Sequence, residues 1–190
     1  MCKNHKEAKC ETLGSHKYRR YCVNCFRNLF PDEPVSKNYR TKEQCVVDFI
    51  KKTFPNFTWR FNKTVEGGCS KRRPDIICDF GSHVIILEVD EFKHYGYLCE
   101  NRRTMELMRD NGLRPMIIIR FNPDNYVDET GNKVTSCWGM DKKGICRVKP
   151  SKTEEWQLRL NKVLEEVEKA STQVPEKELT VVHLFYDADQ

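Results

Sequence analysis

No stretch of the sequence reaches about 18 consecutive apolar residues, the length that spans a hydrocarbon core. The first residues also lack the apolar segment of a secretory signal. Membrane insertion and export are therefore not expected, and an intracellular protein is. Internal repeats and low-complexity tracts are absent too, so the 190 residues read as one domain of ordinary size with a small appendage. Neither sign of charge dominates: 33 Lys and Arg stand against 28 Asp and Glu, a formal net charge of +5. That balance favours an acidic partner, nucleic acid first, although a solvated surface explains it nearly as well.

Cysteine, by contrast, is abundant at ten residues. In a reducing compartment, clustered cysteines read as metal ligands and solitary ones as buried or incidental. Cys2, Cys10, Cys22 and Cys25 crowd the first 25 residues together with His5 and His16, while Cys45, Cys69, Cys78, Cys99, Cys137 and Cys146 are scattered. "CKNHKEAKC" followed by "YCVNCF" offers CxxH, a lone cysteine and CxxC, and a CxxC knuckle presents two thiolates to one tetrahedral Zn²⁺. Cys22 and Cys25 form the core pair and Cys10 is the third ligand. The fourth is either His5 or Cys2, with His16 in reserve. So short a segment with little apolar content cannot fold by burial alone, so a metal would supply its stability. Lys17, Arg19 and Arg20 beside the ligands would let it grip DNA; otherwise it only braces the rest of the chain.

Beyond the cysteines, "LFPDEPVSKNY" carries two prolines and reads as a connection. This divides the chain into a zinc segment at 1–30, a core at 31–150 and a C-terminal piece at 151–190. "RTKEQCVVDFIKKTF" predicts a helix, with Thr41 and Gln44 in capping-box positions and Val46, Val47, Ile50 and Phe54 at helical spacing. "FTWRFNK", "DIICDF" and "HVIILEVD" predict three strands, the last two joined at Gly81 and Ser82, and the third apolar on both faces as a covered central strand should be. "CENRRTMELMRDNG" predicts a helix stopped by Asn111 and Gly112, and "PMIIIRF" a strand parallel to 84–90 through a right-handed crossover. A last amphipathic helix buries Trp156, Leu160, Val163, Leu164 and Val167, and "LTVVHLFY" predicts a further strand at an edge.

Acids gather at one end of this layout. With the turn at Gly81 and Ser82, paired residue numbers sum to about 163, as strand pairing dictates, which sets Asp75 opposite Glu88 with Asp90 on the same face. Unpaired carboxylates at such distances raise one another's pKa and call for a cation, and an all-oxygen donor set suits Mg²⁺ or Mn²⁺. Glu43 projects from the helix face that should pack on the sheet, either as a fourth acid or as a rim residue paired with an arginine such as Arg72.

Helix, three strands, helix and strand, with "PD" at Pro74 and Asp75 and an acid thirteen residues later, resemble the PD-(D/E)XK nuclease superfamily. "EVDEFKH", "ENRR", "NGLRP" and "IIIRFNPD" are most similar to its very-short-patch-repair-like branch. "YCVNCFRNLFPDEPVSKNYRTKE" also resembles proteins of large DNA viruses and protists. The resemblance covers about residues 10 to 150. It implies a restriction-endonuclease-like α/β core and a metal-dependent DNA endonuclease of repair or homing type, possible in a virus-encoded protein. Asp75 and Glu88 would be metal ligands, joined by the Val89 carbonyl, and Glu43 would be the helix-borne acid. Asp90 stands where the superfamily has lysine, as a further ligand or general base, and Lys93 or His94 would supply the missing cation or proton relay. Lys71, Arg72 and Arg73 would hold phosphates, with Arg102, Arg103 and Arg120 as secondary candidates. A double-strand cut by so small an enzyme would suit a homodimer, which no residue demands. Two other classes stay open: a DNA-binding module that keeps the fold without cleavage, and a zinc-braced protein-interaction domain.

Overall fold

The structure, a computed structural model, describes residues 2, 3, 14, 18–30, 33, 41–91, 97–140 and 146–188. They fall into two compact units, one of residues 1–41 with 139–147 and one of 42–138 with 148–190. In the first, helix α1 (Val23–Leu29) follows Cys22, whose sulfur accepts the N–H of Cys25 at its N-terminus.

The second unit is mixed α/β. Its elements in chain order are α2 (Thr41–Thr53), β1 (Trp59–Phe61), β2 (Ile76–Asp79), β3 (Val84–Val89), α3 (Tyr97–Asp110), β4 (Met116–Phe121) and the short pair β5 (Tyr126–Val127) and β6 (Lys133–Val134). β7 (Trp138–Met140) and β8 (Cys146–Val148) fall mostly in the first unit, and α4 (Thr153–Thr172) and β9 (Leu179–Leu184) follow in the second. The main sheet runs β1-β2-β3-β4-β9. β1, β2 and β3 pair antiparallel, whereas β3, β4 and β9 pair parallel. β9 is thus the edge strand its sequence predicts, and α4 and β9 belong to the same unit as the sheet.

Strand parity sorts the core into two layers. Ile77, Ile86, Met116 and Ile118 pack with Leu107 of α3 on one face. On the other, Phe121 meets Trp156 of α4, and His83 bonds the Ala170 carbonyl at 2.8 Å. Covered on both sides, β3 and β4 are apolar nearly throughout, and each such fully buried aliphatic side chain contributes roughly 1.5–3 kcal/mol. The β2–β3 register is Ile76 with Leu87 and Ile77 with Ile86, the predicted sum of 163. Gly81 allows the turn with φ +77°, and Asp79 accepts the Gly81 N–H at 2.8 Å while receiving two bonds from Arg114 at 2.6 and 2.7 Å. One local expectation fails: Thr41 is the first helical residue rather than its cap, and Gln44 donates instead to Asp48 at 2.8 Å. Among the described residues, no helix is long and apolar enough to cross a membrane.

Candidate functional site

Continuing the hairpin register by one residue sets Asp75 across from Glu88, and the Val89 N–H donates to Asp75 Oδ2 at 2.9 Å. Both acids share the parity of Ile77 and Ile86, so they belong to the α3 face. Burial pushes the Asp75 carboxyl up to about 7; repulsion from Glu88 and Glu43 adds to this, and the Val89 N–H and Arg103 oppose it. The Glu88 carboxyl is also raised, first by burial and then by Asp90, against the pull of Arg103. A positive charge brought to such acids favours their ionised forms.

Glu43 reaches the group from α2. Its Oε1 accepts from the Asn62 side chain, and the Asn62 N–H donates to the Asp75 carbonyl at 2.9 Å. Asn62 therefore links the two acids. It sits just past β1 at φ +51°, a left-handed conformation that asparagine tolerates better than most residues. At the end of β3, Glu91 accepts the backbone N–H of Glu43 and so holds the first turn of α2. Burial raises the Glu91 carboxyl, with nearby Lys42 opposing, and Lys42 pairs with Asp124 at 2.5 Å. Sequence reasoning missed Asn62 and Glu91, and the asparagine at a strand end was the only local signal.

Two of the expected residues are already engaged. Asp90 accepts from Nε and Nη2 of Arg120, each at 2.7 Å, and from the Tyr186 hydroxyl as well. Arg120 in turn is only 11% exposed and gives its remaining nitrogen, Nη1, to Glu100 at 2.6 Å, so acids already engage all three of its nitrogens. The reason is strand pairing, which sets Arg120 of β4 beside Glu88, one step from Asp90. The Val89 carbonyl already accepts the Glu91 N–H at 3.0 Å.

The other basic residues divide. Arg103 of α3 bonds Glu88 Oε1 at 2.6 Å and the Arg73 carbonyl at 3.0 Å. Arg72 and Arg102 both pair with Glu106, at 2.5 and 3.0 Å, and Glu43 does not meet Arg72 as its pair. Lys71 and Arg73 are exposed, and Arg102 is 76% exposed despite its partner. Lys93 and His94 lie outside the described residues.

In the first unit, the sulfurs of Cys2, Cys22 and Cys25 all lie within 4.8 Å of one another and can hold a metal ion. The Cys22 N–H donates to Cys2 Sγ at 3.0 Å and the Cys25 N–H to Cys22 Sγ at 3.4 Å, so backbone groups position two of the three sulfurs. Cys2 thus joins the CxxC pair, while His5, Cys10 and His16 lie outside the described residues. Among the described residues no other three potential ligands gather so closely. Glu43, Asp75 and Glu88 remain looser, with Asn62 on Glu43 and Arg103 on Glu88.

No protein-family model matches the chain. No curated protein matches it in sequence. The chemistry must be argued from the residues: an all-carboxylate group suits a hard, oxygen-seeking cation, and a thiolate group a softer one.

Proposed function

We propose that the sheet-bearing unit is a Mg²⁺- or Mn²⁺-dependent DNA endonuclease with a PD-(D/E)XK-type core, whose metal-binding acids are Asp75, Glu88 and Glu43. One observation carries this reading: Asp75 faces Glu88 at the end of a rigid hairpin, with both carboxyls pushed up by burial and repulsion and Glu43 adding to the repulsion. A bound divalent ion would polarise a scissile phosphate and acidify an attacking water. The protein's own part is positional. The Val89 N–H orients Asp75, Asn62 and Glu91 hold Glu43 at the sheet's end, and exposed Lys71, Arg73 and Arg102 are available to phosphates on either side. Lys93 or His94 would serve the water or the leaving oxygen, since Asp90 is committed to Arg120. The product is a nicked strand, and cutting both strands would take a second copy.

In the other unit, Cys2, Cys22 and Cys25 would bind Zn²⁺, with the fourth ligand from His5 or Cys10. The occupied state of Glu88 and the ion pair at position 90 favour a second reading, a DNA-binding module without cleavage. Supercoiled plasmid incubated with Mg²⁺ separates the two. Nicking by the wild type that Asp75→Ala and Glu88→Ala lose is the expected result, whereas salt-sensitive binding without nicking leaves only the module.

A further inference from the structure

Among the described residues, Arg103 of α3 forms an ion pair with Glu88 of the proposed site. Its guanidinium lies 2.6 Å from Glu88 Oε1 and is tied back to the Arg73 carbonyl at 3.0 Å. The pair is largely shielded, with 27% of the Arg103 side chain and 12% of Glu88 exposed. Arg103 belongs to α3 and Glu88 to β3, so the contact spans two elements packed face to face rather than arising from neighbours in sequence. The Arg120 side chain, in contrast, spends its donors on Asp90 and Glu100.

We infer that Arg103 is a built-in counter-ion that competes with the divalent cation for Glu88. This rests on the reading of Asp75, Glu88 and Glu43 as a divalent-ion site. A guanidinium bonded to a carboxylate oxygen at this distance occupies a lone pair that an ion would use, and its charge repels the ion. Metal entry therefore requires Arg103 to release Glu88. Once released, its planar fork suits a phosphate oxygen beside the exposed Lys71 and Arg73. The neutral variant should then bind metal better than the wild type, whereas a residue that only holds the fold together would give the reverse.

The test is Mn²⁺ binding to the full chain by isothermal titration calorimetry at constant pH. Arg103→Gln is expected to tighten Mn²⁺ about two- to fivefold, the scale of a partly shielded ion pair. Arg103→Met keeps an unbranched apolar stem without the charge and should tighten it similarly, which covers the case in which the glutamine variant does not fold. Arg103→Lys retains the charge and should stay near the wild type, and Arg109→Gln, at an exposed position of the same helix, should leave Mn²⁺ affinity at the wild-type value. Equal or weaker Mn²⁺ binding by both neutral variants overturns the counter-ion role while leaving the metal site intact. If Asp75→Asn binds Mn²⁺ as the wild type does, the metal-site reading fails, and the counter-ion role falls with it.

Discussion

Asp75 holds a carboxyl that ordinarily ionises near 4 and here does so near 7, chiefly because it is buried and then because Glu88 and Glu43 repel its charge. Between those values the folded chain keeps a proton that the unfolded chain has lost. Stability therefore falls as pH rises through that window, and the full penalty stands above it. Asp75→Asn should lose this slope and be the more stable protein at pH 8, as urea denaturation at a series of pH values will show. Removing the Asp90 carboxylate should instead destabilise the protein. Its carboxylate is the main partner of a guanidinium only 11% exposed, so Asp90→Ala leaves a buried charge with Glu100 alone and should cost about 3 kcal/mol in a denaturation experiment. The facing of Asp75 and Glu88 was legible from residue numbers, because hairpin pairing is arithmetic. The partners Arg103, Asn62 and Arg120 were not, because each reaches its acid across packed elements.

Among the elements, the hairpin is set by its turn and the helices by their apolar spacing. Trp156, Leu160, Val163 and Val167 are buried on α4 as their period predicts, and Leu164 is only half-buried. Arg159 on the same helix is buried as well, which apolar counting cannot foresee. It bonds the Asp124 carbonyl at 3.0 Å and Glu155 at 2.8 Å, and lies 5.1 Å from the Tyr126 ring centre and 5.3 Å from that of Phe185. The loop before Lys71 depends on α3 in a comparable way. Asp110 accepts the N–H groups of Cys69 and Ser70 at 2.9 and 3.1 Å, and a Cβ on Gly68 would lie 2.6 Å from Asp110 Cγ. Gly68→Ala should displace that carboxylate and destabilise the protein by about 1–3 kcal/mol, measured by thermal or urea unfolding. The neighbour that excludes a side chain at Gly68 is known only from the fold.

For the whole molecule, the two units should respond differently to metal removal. The described cysteine-bearing residues gather three sulfurs and a small aromatic group of Tyr18, Phe26 and Phe30, with Arg19 over the Phe30 ring at 4.9 Å. Among the described residues, an Arg19–Glu33 ion pair and a Tyr21–Phe30 ring contact add to these without making a large apolar core. The sheet unit has its own two-layered core. Chelation, or Cys22→Ser, should therefore speed amide hydrogen exchange across 18–30 while the amides of β3 and β4 stay protected. Unchanged exchange in 18–30 after the metal is stripped would show that thiolate ligation does not support this segment.

What the sequence determined by itself was local and periodic. Alternation and apolar runs placed the strands, helical spacing placed α2, α3 and α4, and the turn at Gly81 and Ser82 carried the register that brings Asp75 to Glu88. The CxxC pair announced its chemistry because two thiols at that spacing share one side of a turn. Tertiary structure alone decided the charges. Asp90 goes to Arg120 because β3 and β4 lie side by side, Glu88 goes to Arg103 because α3 covers that face, and Cys2 joins Cys22 and Cys25 from 20 residues away. A carboxylate takes whatever cation packing brings within reach, and no spacing rule in a single chain encodes that choice.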